Sequence, residues 1–527
     1  MSARGGVPAR LTVVDEIFLR THRGLGTPIA LQGLWRTSDR VEVELLEDLH
    51  ARLRRGPLGR RVVRARVPGA RRSWRPTVRA HPLDLHGEIA ASDVLGWADT
   101  LGADLDPEYA PGWRLSSAPL DDGGTVIALT CSHVLADARG LIIAVDTALT
   151  AAAGSAAAPT RPPAVHQSPS ATSTLAPNPP APTGHPHTSE QRHHGRRRPA
   201  AGLNAVPRSD WADAWEQLLT VLGGTTAAFG TGLRRSSSRV RNAAVAGLCG
   251  PKSVGTESEK ANAGSPAVTE GNTVGDDNPT MRDGADDSAS TPDPRTTDPR
   301  LTDPRITDPR TTRIPTVGAV LRFPAADWDR AAAASAGTAN SLFVWFVANM
   351  LWASGFPGAT IEAALPVDTR DEPRVDNDLA MTAITVTRAD SPGAIRAKAR
   401  AAYERRMTSP AGLPEETLQL VPDRLAYAMS RGAGERDILC SNIGTLPPSL
   451  HTFGPHECTA IAARAIHPDL TFARRPRTRL SGYLSRDRDT YTLALVSLTP
   501  ELIPNSPALH RLAEVTAGRL GLTLRTW

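Results

Sequence analysis

The stretch TVIALTCSHVLADARG, residues 125–140, decides how the rest of the chain is read. Thr125–Ser132 is an apolar run preceded by DDGG, the pattern of a turn leading into a buried strand. Arg139–Ala153 then carries apolar residues at helical spacing. His133 and Asp137 fall between the two, four positions apart. A strand end is a rigid mount, and imidazole is the side chain whose ordinary pKa lets it take and release a proton near neutrality. An HxxxD spacing alone is weak, because a histidine at a strand end is more often structural than catalytic. Its meaning has to come from the rest of the chain.

Working outward, both halves read as mixed α and β. In the first, Pro28–Arg36 and Arg60–Val67 have strand patterns, with a helix over Asp39–Arg55 between them. In the second, Thr316–Phe323 reads as a strand, and Pro324 opens a helix at Ala325–Ala334. Asn340 or Thr338 caps an apolar helix over Ser341–Ala353. Gly482–Ser485 and Tyr491–Leu498 flank the turn RDRD as a hairpin, and a closing helix spans Ser506–Leu520. The expected architecture is therefore mixed α/β (α+β), with lobes at residues 1–151 and 314–527 and a ligand cleft between them.

Composition marks off what lies between the lobes. Residues 152–206 are rich in Ala, Pro, Ser, Thr and His. Residues 235–313 are polar and end in DPR repeats at 293–295, 298–300, 303–305 and 308–310. Proline every fifth residue forbids a helix, and such segments cannot build a core, so both are expected to be disordered linkers. His185, His187, His193 and His194 lie there without fixed geometry. One island, residues 207–234, contains SDWADAWEQLLTVLGG. Ser209 or Asp210 can cap a helix with an apolar stripe of Trp211, Trp215, Leu218, Leu219 and Leu222, expected to dock on one of the lobes.

The 527 residues carry 60 Lys+Arg against 55 Asp+Glu, a net charge of +5, and 45 prolines. The four cysteines, Cys131, Cys249, Cys440 and Cys458, form no CxxC pair, so neither a disulfide scaffold nor a cysteine zinc site is indicated. His81 and His86 are five apart with no third ligand nearby, and no metal is expected. No apolar segment is long enough to span a membrane, and the N-terminus lacks a signal-peptide core, which points to a cytoplasmic protein. Ala51–Ala80 holds eleven arginines and no acidic residue. That patch could attract phosphates of a cofactor or an anionic membrane surface, although a solvated strand face is the plainer account. Trp74 is its one aromatic residue, so nucleic-acid binding is not expected. GxSxG, GxxxxGK[ST], HExxH and a strand-linked GxGxxG are all missing, which leaves serine-triad hydrolysis, phosphate-loop ATP use and nicotinamide chemistry without support.

SHVLADARG resembles the HHxxxDG motif of the condensation-domain and chloramphenicol acetyltransferase-like acyltransferase superfamily. LTVVDEIFL, PEYAPGWRLSSAPLDDGGTVIALTCSHVLAD, TANSLFVWFVANML, ALPVDTR with VDNDLA, and CSNIGTLP resemble landmarks of its actinobacterial wax ester synthase / diacylglycerol acyltransferase group, in the same order. The resemblance implies two chloramphenicol acetyltransferase-like lobes around a central channel. It implies transfer of an acyl group from a CoA thioester to a hydroxyl acceptor, of wax ester or triacylglycerol type, with no cofactor beyond acyl-CoA as substrate. By resemblance His133 is the general base and Asp137 a structural partner of an arginine, for which Arg370 is the candidate. Ser441 and Asn442 lie in a segment that approaches the channel in relatives, where Asn442 orients substrate or the oxyanion, or else caps a local turn. Ser132 and Ala138 depart from the motif's first histidine and its glycine. Two alternatives stay open: a catalytically silent scaffold of the same fold, and a condensation enzyme using an amine acceptor or a carrier-protein donor. Acyl length, acceptor and oligomeric state are not specified by these motifs, and peripheral contact with a membrane or lipid surface stays open as an expectation.

Overall fold

The computed structural model describes residues 9–25, 27–156, 209–220, 311–404, 420–430 and 435–527. These all belong to one compact unit, Met1–Ala228 with Pro309–Trp527; a second unit, Phe229–Asp308, lies outside the described residues. The two expected linkers fall almost wholly outside them as well, including the four histidines and the DPR repeats.

Two twisted sheets organise the described unit. The first half supplies β1 (Ala30–Thr37), β2 (Arg60–Val63), β3 (Ser73–Pro76), β4 (Asp84–Leu85), β5 (Trp113–Pro119) and β6 (Thr125–Ser132). The second supplies β7 (Val317–Pro324), β8 (Thr360–Asp368), β9 (Leu379–Thr387), β10 (Ile438–Thr445), β11 (Thr452–Phe453), β12 (His456–Ile466), β13 (Leu480–Asp487), β14 (Thr490–Ser497) and β15 (Arg525–Thr526). One sheet runs β11–β12–β1–β6–β5–β4 and the other β15–β7–β14–β13–β10–β8–β9, while β2 and β3 form a separate hairpin. The helices are α1 (Val13–His22), α2 (Val43–Arg55), α3 (Val94–Asp99), α4 (Ala138–Ala156), α5 (residues 210–220), α6 (Ala325–Ala334), α7 (Ala339–Ala353), α8 (Pro392–Glu404), α9 (Asp423–Ser430) and α10 (Ser506–Gly518). The architecture is mixed α/β.

Every residue of β6 is buried, as an apolar run between two paired neighbours should be. It lies antiparallel between β1 and β5, with Ser132 opposite Ala30. α7 is apolar on all sides and accordingly sits inside the second core, capped by Thr338 in a reciprocal box with Ser341. It approaches β13 so closely that a Cβ at Gly482 would lie 2.8 Å from Phe343 and 2.9 Å from Val347. No single helix among the described residues is long and apolar enough to cross a membrane.

Four expectations need correction. β11 and β12 come from the second half of the chain but extend the first sheet, with β12 antiparallel to β1, so a boundary at residue 314 does not divide the sheets. The strand expected at Arg60–Val67 ends at Val63, where the chain turns towards β3. The helix expected from Asp39 starts at Val43, because Asp39 and Glu42 are held instead by His456, at 2.9 and 2.6 Å. Finally, α5 turns its acidic face, not its apolar stripe, to the protein. Asp213 and Gln217 are buried, while Trp211, Trp215, Leu218 and Leu219 are exposed.

Candidate active site

The chain leaves β6 at Ser132, makes a short turn through His133 and enters α4 at Ala138. Ser132 is buried, its N–H donating to the Gly112 carbonyl at 2.8 Å, and its carbonyl accepts from the Leu135 N–H at 2.9 Å. The His133 N–H donates to the Ile29 carbonyl at 3.1 Å, which ties the turn to the start of β1. Asp137 is the cap of α4: its Oδ1 accepts from the Gly140 N–H at 2.8 Å and its carbonyl from the Leu141 N–H at 2.9 Å. Ala138 is the first helical residue and needs no positive φ, so the missing motif glycine carries no backbone strain. Neither departure from the motif disturbs the turn.

The structure brings Asp137 and Arg370 together. Arg370 Nη2 lies 2.6 Å from Asp137 Oδ1, with both side chains at most 6% exposed. The same guanidinium binds Asp368 at 2.8 Å, the Arg374 carbonyl at 3.0 Å and the Asp376 carbonyl. Asp137 Oδ2 also accepts from the Asp378 N–H at 3.2 Å. Asp137 thus accepts from a helix start, an arginine and a backbone amide, which suits a structural pin better than a proton carrier. Arg60 reinforces it from the first half, donating to Asp376 at 2.7 Å, to the Leu135 carbonyl at 2.5 Å and to the Val375 carbonyl. Part of the arginine-rich segment therefore has internal partners, Arg71 with Asp213 and Arg72 with Glu16 among them.

His133 is half-buried, stacked on Phe18 with ring centroids 3.7 Å apart, and its Nδ1 lies 3.1 Å from Asn377 Oδ1. The orientation of that amide is dictated by its other end. Asn377 Nδ2 faces Asp15 Oδ1 at 2.8 Å and the carbonyls of His133 and Val134 at 2.9 and 3.1 Å, all acceptors. The oxygen must therefore point at Nδ1, which carries the hydrogen and donates it. In the neutral ring this leaves the lone pair on Nε2. Burial lowers the pKa of His133 below its ordinary value, so the ring is neutral at pH 7 and able to accept a proton. His467 stands close enough for the two charges to interact; its own pKa is lowered by burial to about 4, so it adds no positive charge. Asp15 is pushed up to about 6 by burial, against hydrogen bonds from the Thr12 backbone and Asn377 that lower it.

Asn377, Asp15, Phe18 and His467 were not singled out by sequence reasoning. The segment VDNDLA holds Asn377, but nothing in its spacing shows that one amide would join α1 to the His133 turn. Ser441 and Asn442 lie on β10, half-buried and exposed respectively, and neither hydrogen-bonds to His133 among the described residues. Asn442 Oδ1 accepts from the Gly444 N–H at 3.0 Å, where β10 breaks register against β13 and Gly444 takes φ +83°. It caps a local turn. Its neighbour Ile443 instead lines a small apolar cavity of about 40 Å³. Leu31 and Trp35 of β1, Leu141, Ile142 and Val145 of α4, and Ile461 of β12 line it further. No group of three metal-ligating side chains occurs among the described residues.

No family model matches the chain, and no curated protein matches it. Among solved structures it is similar to the epimerization domain from the third module of tyrocidine synthetase B, at 9% identity and TM-score 0.47 over 99% of both chains. It is similar to the first condensation domain of the CDA synthetase, at 12% identity and TM-score 0.49 over 99% of this chain and 100% of that one. It is also similar to the wax ester synthase/diacylglycerol acyltransferase from Marinobacter aquaeolei VT8, at 12% identity and TM-score 0.45 over 98% and 100%.

Proposed function

We propose that the chain is an acyltransferase that moves an acyl group from a CoA thioester to a hydroxyl acceptor, with His133 Nε2 as general base. The observation that carries this is the Asn377-held tautomer: a neutral, half-buried imidazole whose Nδ1 is engaged by Asn377 and whose Nε2 has no hydrogen-bond partner among the described residues, on a turn pinned from both halves of the chain. Nε2 takes the hydroxyl proton as the alcohol oxygen attacks the thioester carbonyl. The tetrahedral oxyanion then collapses, the C–S bond breaks, and the imidazolium returns the proton to the departing thiolate, giving an ester and free CoA thiol. No covalent acyl-enzyme is needed. General-base assistance contributes about 10²–10⁴ in rate, and holding both substrates in line contributes about 7–11 kcal/mol at most.

The test is release of CoA thiol from a panel of acyl-CoAs and alcohols by the intact protein and by His133→Ala. Acceptor-dependent release that collapses in the folded variant is the expected result. Equal background from both proteins across the panel would overturn the proposal in favour of a binding role for the same fold.

A further inference from the structure

The backward docking of α5 is specific. Asp213 is fully buried, its Oδ2 accepting from the Arg71 N–H at 2.7 Å and its Oδ1 from Arg71 Nη2 at 2.6 Å. Asp210 accepts from Arg10 Nη2 and from the Arg66 N–H, both at 2.8 Å. Charge-assisted bonds through both carboxylates thus fix which face looks outward. That face carries Trp211 at 66% exposure, Trp215 at 59% and Leu219 at 64%, with Leu218 beside them. An amphipathic helix ordinarily buries such a stripe. Here the protein holds it in solvent by design of its polar face.

What surrounds the stripe indicates what covers it. Through the Asp210–Arg66 and Asp213–Arg71 bonds, α5 lies against the segment of residues 60–79. That segment exposes Arg61, Arg64, Arg66, Arg75 and Arg79, together with Val78 at 78%, and contains no acidic residue. Glu216 is the exposed carboxylate on the helix itself. Tryptophan prefers the boundary between headgroups and acyl chains, and clustered arginines beside an apolar stripe complement a negatively charged lipid surface. A bilayer interface also accepts a two-tryptophan stripe without demanding a shaped groove opposite it.

We propose that α5 and the arginine-bearing segment beneath it form a docking face for an anionic lipid surface. This stands independently of acyl transfer. The experiment is flotation of the full chain with phosphatidylcholine vesicles with and without phosphatidylserine, at low and raised salt. The expected result is capture by the phosphatidylserine vesicles, weakened by salt and reduced about tenfold or more in Trp211→Ser/Trp215→Ser. Both tryptophans are exposed, so the melting temperature should be unchanged in that variant. Arg61→Glu/Arg75→Glu should weaken capture while leaving the tryptophans in place. Failure to bind either vesicle, or undiminished binding by both variants, overturns the proposal. So does concentration-dependent self-association that the tryptophan variant abolishes, which would show that a second copy covers the face.

Discussion

Replacing Asn377 by leucine tests the central claim, because the side chain keeps its approximate volume and loses all its polar contacts. In the wild type its oxygen holds the Nδ1 hydrogen of His133 at 3.1 Å and its nitrogen serves Asp15 and two carbonyls. Without the acceptor, the tautomer with hydrogen on Nε2, which cannot act as a base, is no longer disfavoured. A net hydrogen bond contributes about 0.5–1.5 kcal/mol, so losing it predicts a fall in kcat/KM of about 2- to 13-fold. The ceiling is the general-base contribution, about 10²–10⁴. Asp15 loses a donor that lowers its pKa, so the variant should also be destabilised, by about 1–3 kcal/mol for a stranded buried group. That loss should be larger at pH 8, where Asp15 is ionised, than at pH 5. The assays are acceptor-dependent thiol release and urea unfolding at the two pH values. In the double variant with His133→Ala, the two activity losses should not add. Activity within twofold of wild type, in a background where His133→Ala is dead, would refute the assigned role of the amide.

Three further outcomes follow from the same geometry. Arg370→Ala leaves Asp137 buried opposite its lost partner and should cost about 3–5 kcal/mol in urea unfolding; a double-mutant cycle with Asp137→Asn should show strong coupling, and additivity would sink the pin. For Asp15, a folded pKa of about 6 lies above the ordinary 3.8, so the native state binds the proton more tightly than the unfolded chain. Its burden is therefore full above pH 6 and relieved as pH falls towards 4, by about 3 kcal/mol, a slope that Asp15→Asn should flatten in denaturation measured from pH 4 to 8. Asn442→Ala removes only an exposed turn cap, so kcat/KM should stay within about twofold and stability within about 1 kcal/mol; a large loss in kcat with stability intact would restore it to the substrate side of the channel.

How far the sequence foretold this structure depends on the range of the interactions. β6 and α6 begin and end where the apolar run and Pro324 place them, and Thr338 caps α7, because these features are decided within a few residues. Asp137 and Arg370, 233 positions apart, were paired only through the family resemblance. Asn377 escaped because its partners lie 244 and 362 positions away, and an asparagine in a polar loop has no periodicity to betray it. Nothing in the sequence of β12 shows that this strand will cross to β1. For α5, the stripe of tryptophans and leucines suggests burial; Asp210 and Asp213 pair instead with Arg10 and Arg71, and those bonds set the orientation observed.

The site is also built so that neither half of the chain can form it alone. The His133 turn belongs to the first half, yet its carbonyls at His133 and Val134 are satisfied by Asn377, and its aspartate by Arg370 and the Asp378 amide. Arg60 in turn reaches Asp376 and Val375, so residues 370–378 are gripped from the first half while gripping it back. Such a mutually satisfied polar cluster is costly when any member is missing, since each buried group left alone pays its full desolvation. The consequence is a sharp dependence of the base on assembly: the tautomer of His133 is defined only when the loop at residues 370–378 is seated. Variation in substrate pockets elsewhere could proceed without touching this clamp, whereas substitutions at Arg60, Arg370 or Asn377 should affect stability and the pH profile of the reaction together.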